Sequence, residues 1–206
     1  MNISDIKAIV TGGSSGIGFE IAKQLKMQGA KVLITGRDEN KLKKAASEID
    51  VLYAVADASN ESDVIKAFEY ANSMMKGYNV LINNAAYGSF GLLKDQNTQV
   101  FEQLIATNVT GAMIAGREAA KHFIENNFGN IINISSTAGN AGFAGGTAYV
   151  ASKFALKGMT ECWRAELRKS NIRVMLVNPS EVQTPFYKAL GGERPYNETK
   201  LEASEI

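Results

Sequence analysis

The chain reads as an α/β protein built on a doubly wound parallel sheet, three layers deep, and three observations predict this. Short, continuous apolar runs alternate with longer stretches of helical periodicity from one end of the chain to the other. A glycine-rich turn, Thr11-Gly12-Gly13-Ser14-Ser15-Gly16-Ile17-Gly18, joins the first apolar run to the first helical pattern. No repeat, low-complexity block or Pro-rich linker interrupts the alternation, so residues 1–206 are expected to form one domain.

Taken in order, residues 7–11 form the first strand and 16–28 a helix closed by Gly29, with Ile17, Ile21 and Leu25 on one face. Residues 31–35 form the second strand and 39–48 a short Lys-rich helix. Residues 51–55 form the third strand, followed by a helix over 61–76 capped by Ser59 or Asn60. The fourth strand covers 80–82, a long helix 98–126, the fifth strand 131–134, a second long helix 147–169 and the sixth strand 174–177.

Bulk properties exclude several classes. At 206 residues the chain can bury a substantial core. A formal charge of +1 gives no reason to expect nucleic acid as a partner. One cysteine, Cys162, permits no internal disulfide framework, and with a single histidine no zinc-type cluster, so no metal is expected. The first residues carry no charged-then-apolar signal and no run approaches a membrane span, so a cytoplasmic protein without a membrane partner is expected.

A glycine-rich turn between strand and helix serves phosphate binding. Glycine allows close backbone approach, and the helix's first N–H groups and dipole attract the anion. The turn is not a triphosphatase loop, because Phe19-Glu20 follows Gly18 where Lys and Ser/Thr are needed. Gly12-Gly13-Ser14-Ser15-Gly16 also satisfies the Gly-x-Ser-x-Gly nucleophile elbow. That hydrolase reading needs a late histidine, and the one histidine is His122, inside a helical stretch.

In a doubly wound sheet, ligands bind at the carboxyl ends of the strands. The second strand ends at Gly36-Arg37, which removes the acid that would bond a ribose 2′-hydroxyl and supplies a cation suited to a 2′-phosphate. This favours NADP(H) over NAD(H), unless Arg37 instead pairs with Asp38 or Glu39 on the surface. The third strand ends at Asp57-Ala58, where the carboxylate either meets an adenine amino group or caps the next helix with Ser59. At the end of the fourth, Asn83 and Asn84 can satisfy loop backbone groups while Ala85 and Ala86 admit a flat ligand.

The fifth strand ends in Ser135-Ser136, and Tyr149-Val150-Ala151-Ser152-Lys153 follows. Tyr149 and Lys153, four apart, share one helix face. A phenol titrates near 10, and an adjacent ammonium lowers that value, which makes Tyr149 a workable general acid/base. Ser136 can hydrogen-bond the same substrate oxygen.

Together these motifs make the sequence similar to the short-chain dehydrogenase/reductase family, from Lys7 to about Thr184. The resemblance rests on Thr11 to Gly18 as cofactor turn, Asn83-Asn84-Ala85, Tyr149-x-x-x-Lys153, Ser136 thirteen positions before Tyr149, and Asn108. It implies a Rossmann-like sheet of order 3-2-1-4-5-6 and hydride transfer between nicotinamide and a small-molecule carbonyl or secondary alcohol. The implied catalytic set is Asn108, Ser136, Tyr149 and Lys153. Tyr149 exchanges the proton, Lys153 holds the nicotinamide ribose, Ser136 orients the substrate oxygen, and Asn108 holds a water linking Lys153 to solvent. The implied cofactor site comprises Gly12, Ser14, Ser15, Gly16, Ile17, Gly18, Arg37, Asp57, Ala58, Asn84 and Ala85. It continues through Tyr149, Lys153, Pro179, Val182 and Thr184. The long helices resemble the family's dimer and tetramer surfaces, so a homodimer or homotetramer is expected.

Three departures accompany the resemblance. Ala86 and Ser180 stand where the family usually has glycine, and the first is expected to be tolerated. The sequence stops at Ile206, where the family normally continues into a helix and a seventh strand. Residues 186–200, within a substrate loop of about 185–200, carry the charged Gly191-Gly192-Glu193-Arg194 stretch. Tyr87, Phe90, Phe143 and Tyr187 are candidate pocket walls. A general ketone reductase is favoured, with 3-oxoacyl thioesters among possible substrates. A non-catalytic NADP(H) sensor or scaffold is the alternative.

Overall fold

The computed structural model describes residues 2–186 and 197–206. Six parallel strands form one sheet: β1 (Lys7–Thr11), β2 (Lys31–Gly36), β3 (Leu52–Val55), β4 (Val80–Asn83), β5 (Gly129–Ile134) and β6 (Ile172–Val177). Their order is β3-β2-β1-β4-β5-β6, as expected. The order reverses between β1 and β4, and that is where a doubly wound sheet leaves a crevice at its carboxyl edge.

The strands read as unbroken apolar runs because both faces are covered. Along β1, Ile9 points to one face with Leu33, Leu81, Ile131 and Val174, packed under Phe68, Met75, Ile114 and Phe123. Those partners belong to α3 (Glu61–Met75) and α5 (Gly111–Glu125), and α6 (Thr147–Leu167) adds Leu167. Ala8 and Val10 point to the other face with Val32, Ile34, Val80 and Ile82, covered by α1 (Gly16–Met27) and α2 (Glu39–Ile49) through Ala22, Leu42, Ala45 and Ala46. The period-two alternation of the strands thus divides one apolar sequence between two cores.

Three features differ from or add to the sequence expectation, and one, the cap of α3, decides between the two residues it offered. The β5·β6 pairing begins two residues earlier, at Gly129↔Ile172 and Asn130↔Arg173, because ladder hydrogen bonds need only backbone. The cap of α3 is Asn60, whose Oδ1 accepts from Asp63 N at 3.1 Å. The helix expected over 98–126 is α4 (Thr98–Ile105) and α5 joined by a π turn over Ala106–Thr110. Finally, Val182–Gln183 (β7) pairs with Leu201–Glu202 (β8), so the two ends of the substrate-loop region are held side by side. The following turn docks on α1, where Gln24 Nε2 donates to Ser204 O at 3.0 Å.

Candidate functional site

The glycine turn leaves β1 and enters α1. Gly12 has φ +67°, and a Cβ there would lie 2.9 Å from Ala85 Cα. A Cβ on Gly18 would lie 2.5 Å from Gly12 O and overlap Asn84 Nδ2. The turn is therefore shaped by direct backbone approach to the loop after β4. Asn84 locks that approach: its Nδ2 donates to Thr11 O at 3.0 Å and Gly12 O at 3.1 Å. Ser15, the N-cap of α1, makes no side-chain cap hydrogen bond. The first-turn N–H groups of Gly16, Ile17 and Gly18 thus stand at an uncapped helix N-terminus, a setting that suits a phosphate. Thr184 lies across the turn, with its Cβ 3.3 Å from where a Gly16 Cβ would sit.

Thr11 was missed as a separate site residue. Its Oγ1 donates to Ile82 O at 3.3 Å and accepts from Asn84 N at 3.0 Å and Ala85 N at 3.1 Å, so one hydroxyl stitches β1 to the β4 loop. A hydroxyl at a buried strand end just before a glycine turn was the available signal. Asn83 instead turns inward, donating to Ala112 O of α5 and to Asn133 Oδ1 at 3.0 Å, so the loop backbone is served by Asn84 and not by Asn83. Ala86 is absent from the residues with positive φ, so no glycine is required there.

At the end of β2, Arg37 is exposed and forms no ion pair among the described residues. The competing surface pairings go elsewhere. Asp38 caps α2 by accepting from Lys41 N at 3.0 Å and pairs with Lys41, while Glu39 pairs with Lys43. Ser14 borders the same edge, its Oγ 3.6 Å from the position of a Gly36 Cβ. At the end of β3, Asp57 Oδ1 accepts from Ser59 N and Oγ at 2.8 and 2.7 Å, so one carboxylate oxygen holds the turn to α3. A crevice lined by Thr11, Thr35, Ala56, Ala58, Asn83 and Ala85 runs beneath these strand ends.

The expected catalytic set converges at β5 and α6. Lys153 is buried, 3% exposed, and its Nζ donates to Ile134 O at 2.9 Å. The same Nζ lies 5.6 Å from the Tyr149 ring centroid. Burial disfavours the ammonium and brings the Lys153 pKa down from 10.5 to about 8. Ser136 Oγ accepts from Ala138 N at 3.2 Å, which leaves its own proton to donate. Pro179 O accepts from Thr137 N at 3.0 Å and ties the loop after β6 to the Ser136 turn.

Asn108 sits in the π turn, 2% exposed. Its Oδ1 accepts from Tyr87 N at 3.0 Å, and its Nδ2 donates to Tyr87 O at 2.9 Å and Ser152 Oγ at 3.1 Å. Ser152 Oγ in turn donates to Tyr149 O at 2.7 Å. The side chain is thus a splint between the β4 loop and α6, and only a lone pair on Oδ1 is left for a water. Ser152, fully buried, is the second residue that the sequence reading missed; its partner lies 44 positions away.

Of the expected pocket walls, Phe90 lies beside Tyr149 and Phe143 beside Phe90. Tyr87 is partly buried, and that burial raises its phenol pKa, with the Arg37 charge opposing the shift and Asp57 adding to it. Tyr187 and Gly191 to Arg194 lie outside the described residues. His122 stacks on Tyr78 with centroids 4.3 Å apart and accepts from Tyr78 N. It thus lies just before β4, at the edge opposite the glycine turn, and the hydrolase reading has no geometry. Among the described residues no helix is long and apolar enough to cross a membrane.

Comparison with known proteins agrees with this geometry. The short chain dehydrogenase family matches residues 7–194. An uncharacterized oxidoreductase of Bacillus subtilis (YxnA) is 33% identical over 192 residues, covering 89% of this chain and 54% of that protein. The 3-ketodihydrosphingosine reductase of Bos taurus is 33% identical over 203 residues, covering 94% and 61%. The chain therefore spans little more than half the length of these two relatives. A 3-ketoacyl-(acyl-carrier-protein) reductase from Brucella melitensis, solved in complex with NADH, superposes with a TM-score of 0.84 at 30% identity over 88% of this chain and 77% of that one. With the sheet order, the glycine turn and the Tyr149–Lys153 helix in place, the chain belongs to the short-chain dehydrogenase family.

Proposed function

We propose that this chain is an NADPH-dependent reductase of ketones, acting in either direction on a small-molecule carbonyl or secondary alcohol. The observation that carries the reading is the Lys153 ammonium, held by Ile134 O and set 5.6 Å from the Tyr149 ring centroid, with the Ser136 hydroxyl at the end of the same strand. The names of the bovine and Brucella relatives, both ketone reductases, support it.

When bound, the nicotinamide supplies a hydride to the carbonyl carbon or accepts one from the carbinol. The chain's own residues do the rest. Gly12, Ser14, Ser15, Gly16, Ile17 and Gly18 receive the phosphates at the start of α1. Asp57, Ala58, Asn84 and Ala85 flank the adenine side, and Pro179, Val182 and Thr184 the nicotinamide side. Ser136 donates its free proton to the substrate oxygen. Tyr149 gives its phenolic proton to that oxygen in reduction and takes it back in oxidation. Lys153 stabilises the negative charge left on Tyr149, and its remaining protons reach the ribose. Asn108 fixes the Tyr87 loop to α6 and holds, on Oδ1, the water that relays protons to Lys153.

Arg37, with no ion pair among the described residues and with Ser14 beside Gly36, supports NADP(H) over NAD(H). Residues 1–206 act as one domain in which the cofactor and substrate sites share a cleft. A homodimer or homotetramer is supported by an exposed stripe of Ala151, Phe154, Gly158, Cys162 and Ala165 along α6. A monomer-sized species in sedimentation contradicts that part.

The test titrates NADPH and NADH by fluorescence, then assays a ketone panel with wild type and Tyr149→Phe. Tighter NADPH binding, with turnover lost in the variant, is expected. Cofactor binding without turnover on any ketone overturns the reductase reading in favour of a sensor.

A further inference from the structure

The rings around Tyr149 carry information about the substrate. Phe90 meets the Tyr149 ring edge-on, centroids 5.6 Å apart at 64°, and Phe186 lies 5.8 Å from it on a tilted plane. Phe143 stands 6.0 Å from Phe90 and lies on Gly146, where a Cβ would come within 2.7 Å of the ring. The two loops that present these rings are tied together by Gly91 N donating to Gly145 O at 2.9 Å. Gln96 Nε2 closes the first loop on Gly91 O at 2.7 Å. The rings are thus held by backbone ties, yet Phe90 is 41% and Phe143 52% exposed. A fixed, half-exposed apolar surface beside a reactive hydroxyl is a surface that something apolar covers.

Charge sharpens the class. Residues 79–93, which carry Phe90, hold no Asp, Glu, Lys or Arg, and neither do residues 126–152, which carry Ser136, Phe143 and Tyr149. An anionic or cationic substrate group next to the carbonyl would lose its hydration against these loops with no counter-charge from either.

We infer that the site takes uncharged ketones bearing an aryl or alicyclic group next to the carbonyl, and that Phe90 and Phe143 are its specificity-determining residues. The inference rests on the reductase reading above. With the carbonyl oxygen on Ser136 and Tyr149, the apolar group lies against Phe90 and Phe143. Phe143 stands next to Phe90 in the wall and is not the proton donor, so changing it alters the wall and leaves Tyr149 and Ser136 in place.

The test uses the full chain with acetophenone, dihydroxyacetone and pyruvate as probes, in wild type, Phe143→Ala and Phe143→Leu. Acetophenone is expected to show kcat/KM at least about tenfold above either polar ketone, the size of effect that one well-placed apolar group supplies. Losing roughly 40 Å² of apolar contact in Phe143→Ala raises the KM for acetophenone about fivefold with kcat within about twofold, and Leu restores most of it. Equal or better use of pyruvate or dihydroxyacetone, or an unchanged KM in Phe143→Ala, overturns the inference. Saturation-transfer NMR of acetophenone with NADP⁺ present separates the two claims. If no ketone turns over, the reductase reading fails; acetophenone transfer that is lost in Phe143→Ala still supports the subsite. Transfer that is absent or unchanged in the variant overturns it.

Discussion

Replacing Lys153 by Met separates the stability of this fold from its chemistry. Lys153 is 3% exposed, and among the described residues its ammonium has one hydrogen-bond acceptor, Ile134 O at 2.9 Å. Burial lowers its pKa from 10.5 to about 8, a penalty on the charged form of about 3 kcal/mol at pH 7. Met fills a similar volume without charge but leaves Ile134 O without its donor, a loss of about 1–2 kcal/mol. The variant should therefore be more stable than wild type at pH 7, by about 1–2 kcal/mol.

The sign of the pH dependence follows from the same shift. Between about 8 and 10.5 the unfolded chain binds a proton at this position that the folded chain has released, so rising pH stabilises wild type and leaves the Met variant unaffected. The advantage of the variant should shrink by about 2 kcal/mol between pH 7 and 9.5 and end near zero. Urea unfolding of both proteins at four pH values in that range measures it. A difference that does not change with pH, or wild type the more stable at pH 7, would refute the claim that the buried ammonium is held at a cost. Ketone turnover in the variant should be lost throughout.

Three other perturbations probe the remaining parts of the cleft. Arg37→Asp should weaken NADPH binding by about a hundredfold, from loss of a charge-assisted contact plus added repulsion, while NADH binding changes little; equal losses for both would show that Arg37 does not read the 2′ position. Ser152→Ala leaves one Asn108 amide proton without its acceptor in a buried setting, a cost of about 1–3 kcal/mol, seen as a Tm lowered by several degrees and a fall in kcat larger than the change in KM. An unchanged Tm would sink the splint. Gly18→Ala places a methyl on Asn84 and on Gly12 O, so cofactor affinity should drop at least about a hundredfold in fluorescence titration, by displacement of the phosphate turn.

Much of this was legible in the sequence for identifiable reasons. Strands covered on both faces must be apolar at every position, so Ala8-Ile9-Val10 and Val80-Leu81-Ile82 announce themselves without periodicity. Tyr149 and Lys153 were legible because a helix brings residues four apart together, a local rule. The π turn was not, since Thr107, Asn108, Val109 and Thr110 are weak helix formers but nothing in them selects a π turn over an ordinary one; the turn accompanies the bonds of Asn108 to Tyr87, 21 positions away. The same holds for Ser152, whose meaning depends on Asn108, and for Thr11, whose hydroxyl serves a loop more than 70 positions on. The β7·β8 pair is two residues on each side, too short for any pattern to register.

The most direct test of the account is the fate of the hydride. NADPH carrying deuterium on the transferred face of nicotinamide C4 is supplied with acetophenone, and the product alcohol is analysed by mass spectrometry for wild type and Tyr149→Phe. One deuterium is expected at the carbinol carbon with wild type, and a rate reduced at least about a hundredfold in the variant with NADPH affinity unchanged. Alcohol without the label, or full-rate reduction by Tyr149→Phe, would contradict it.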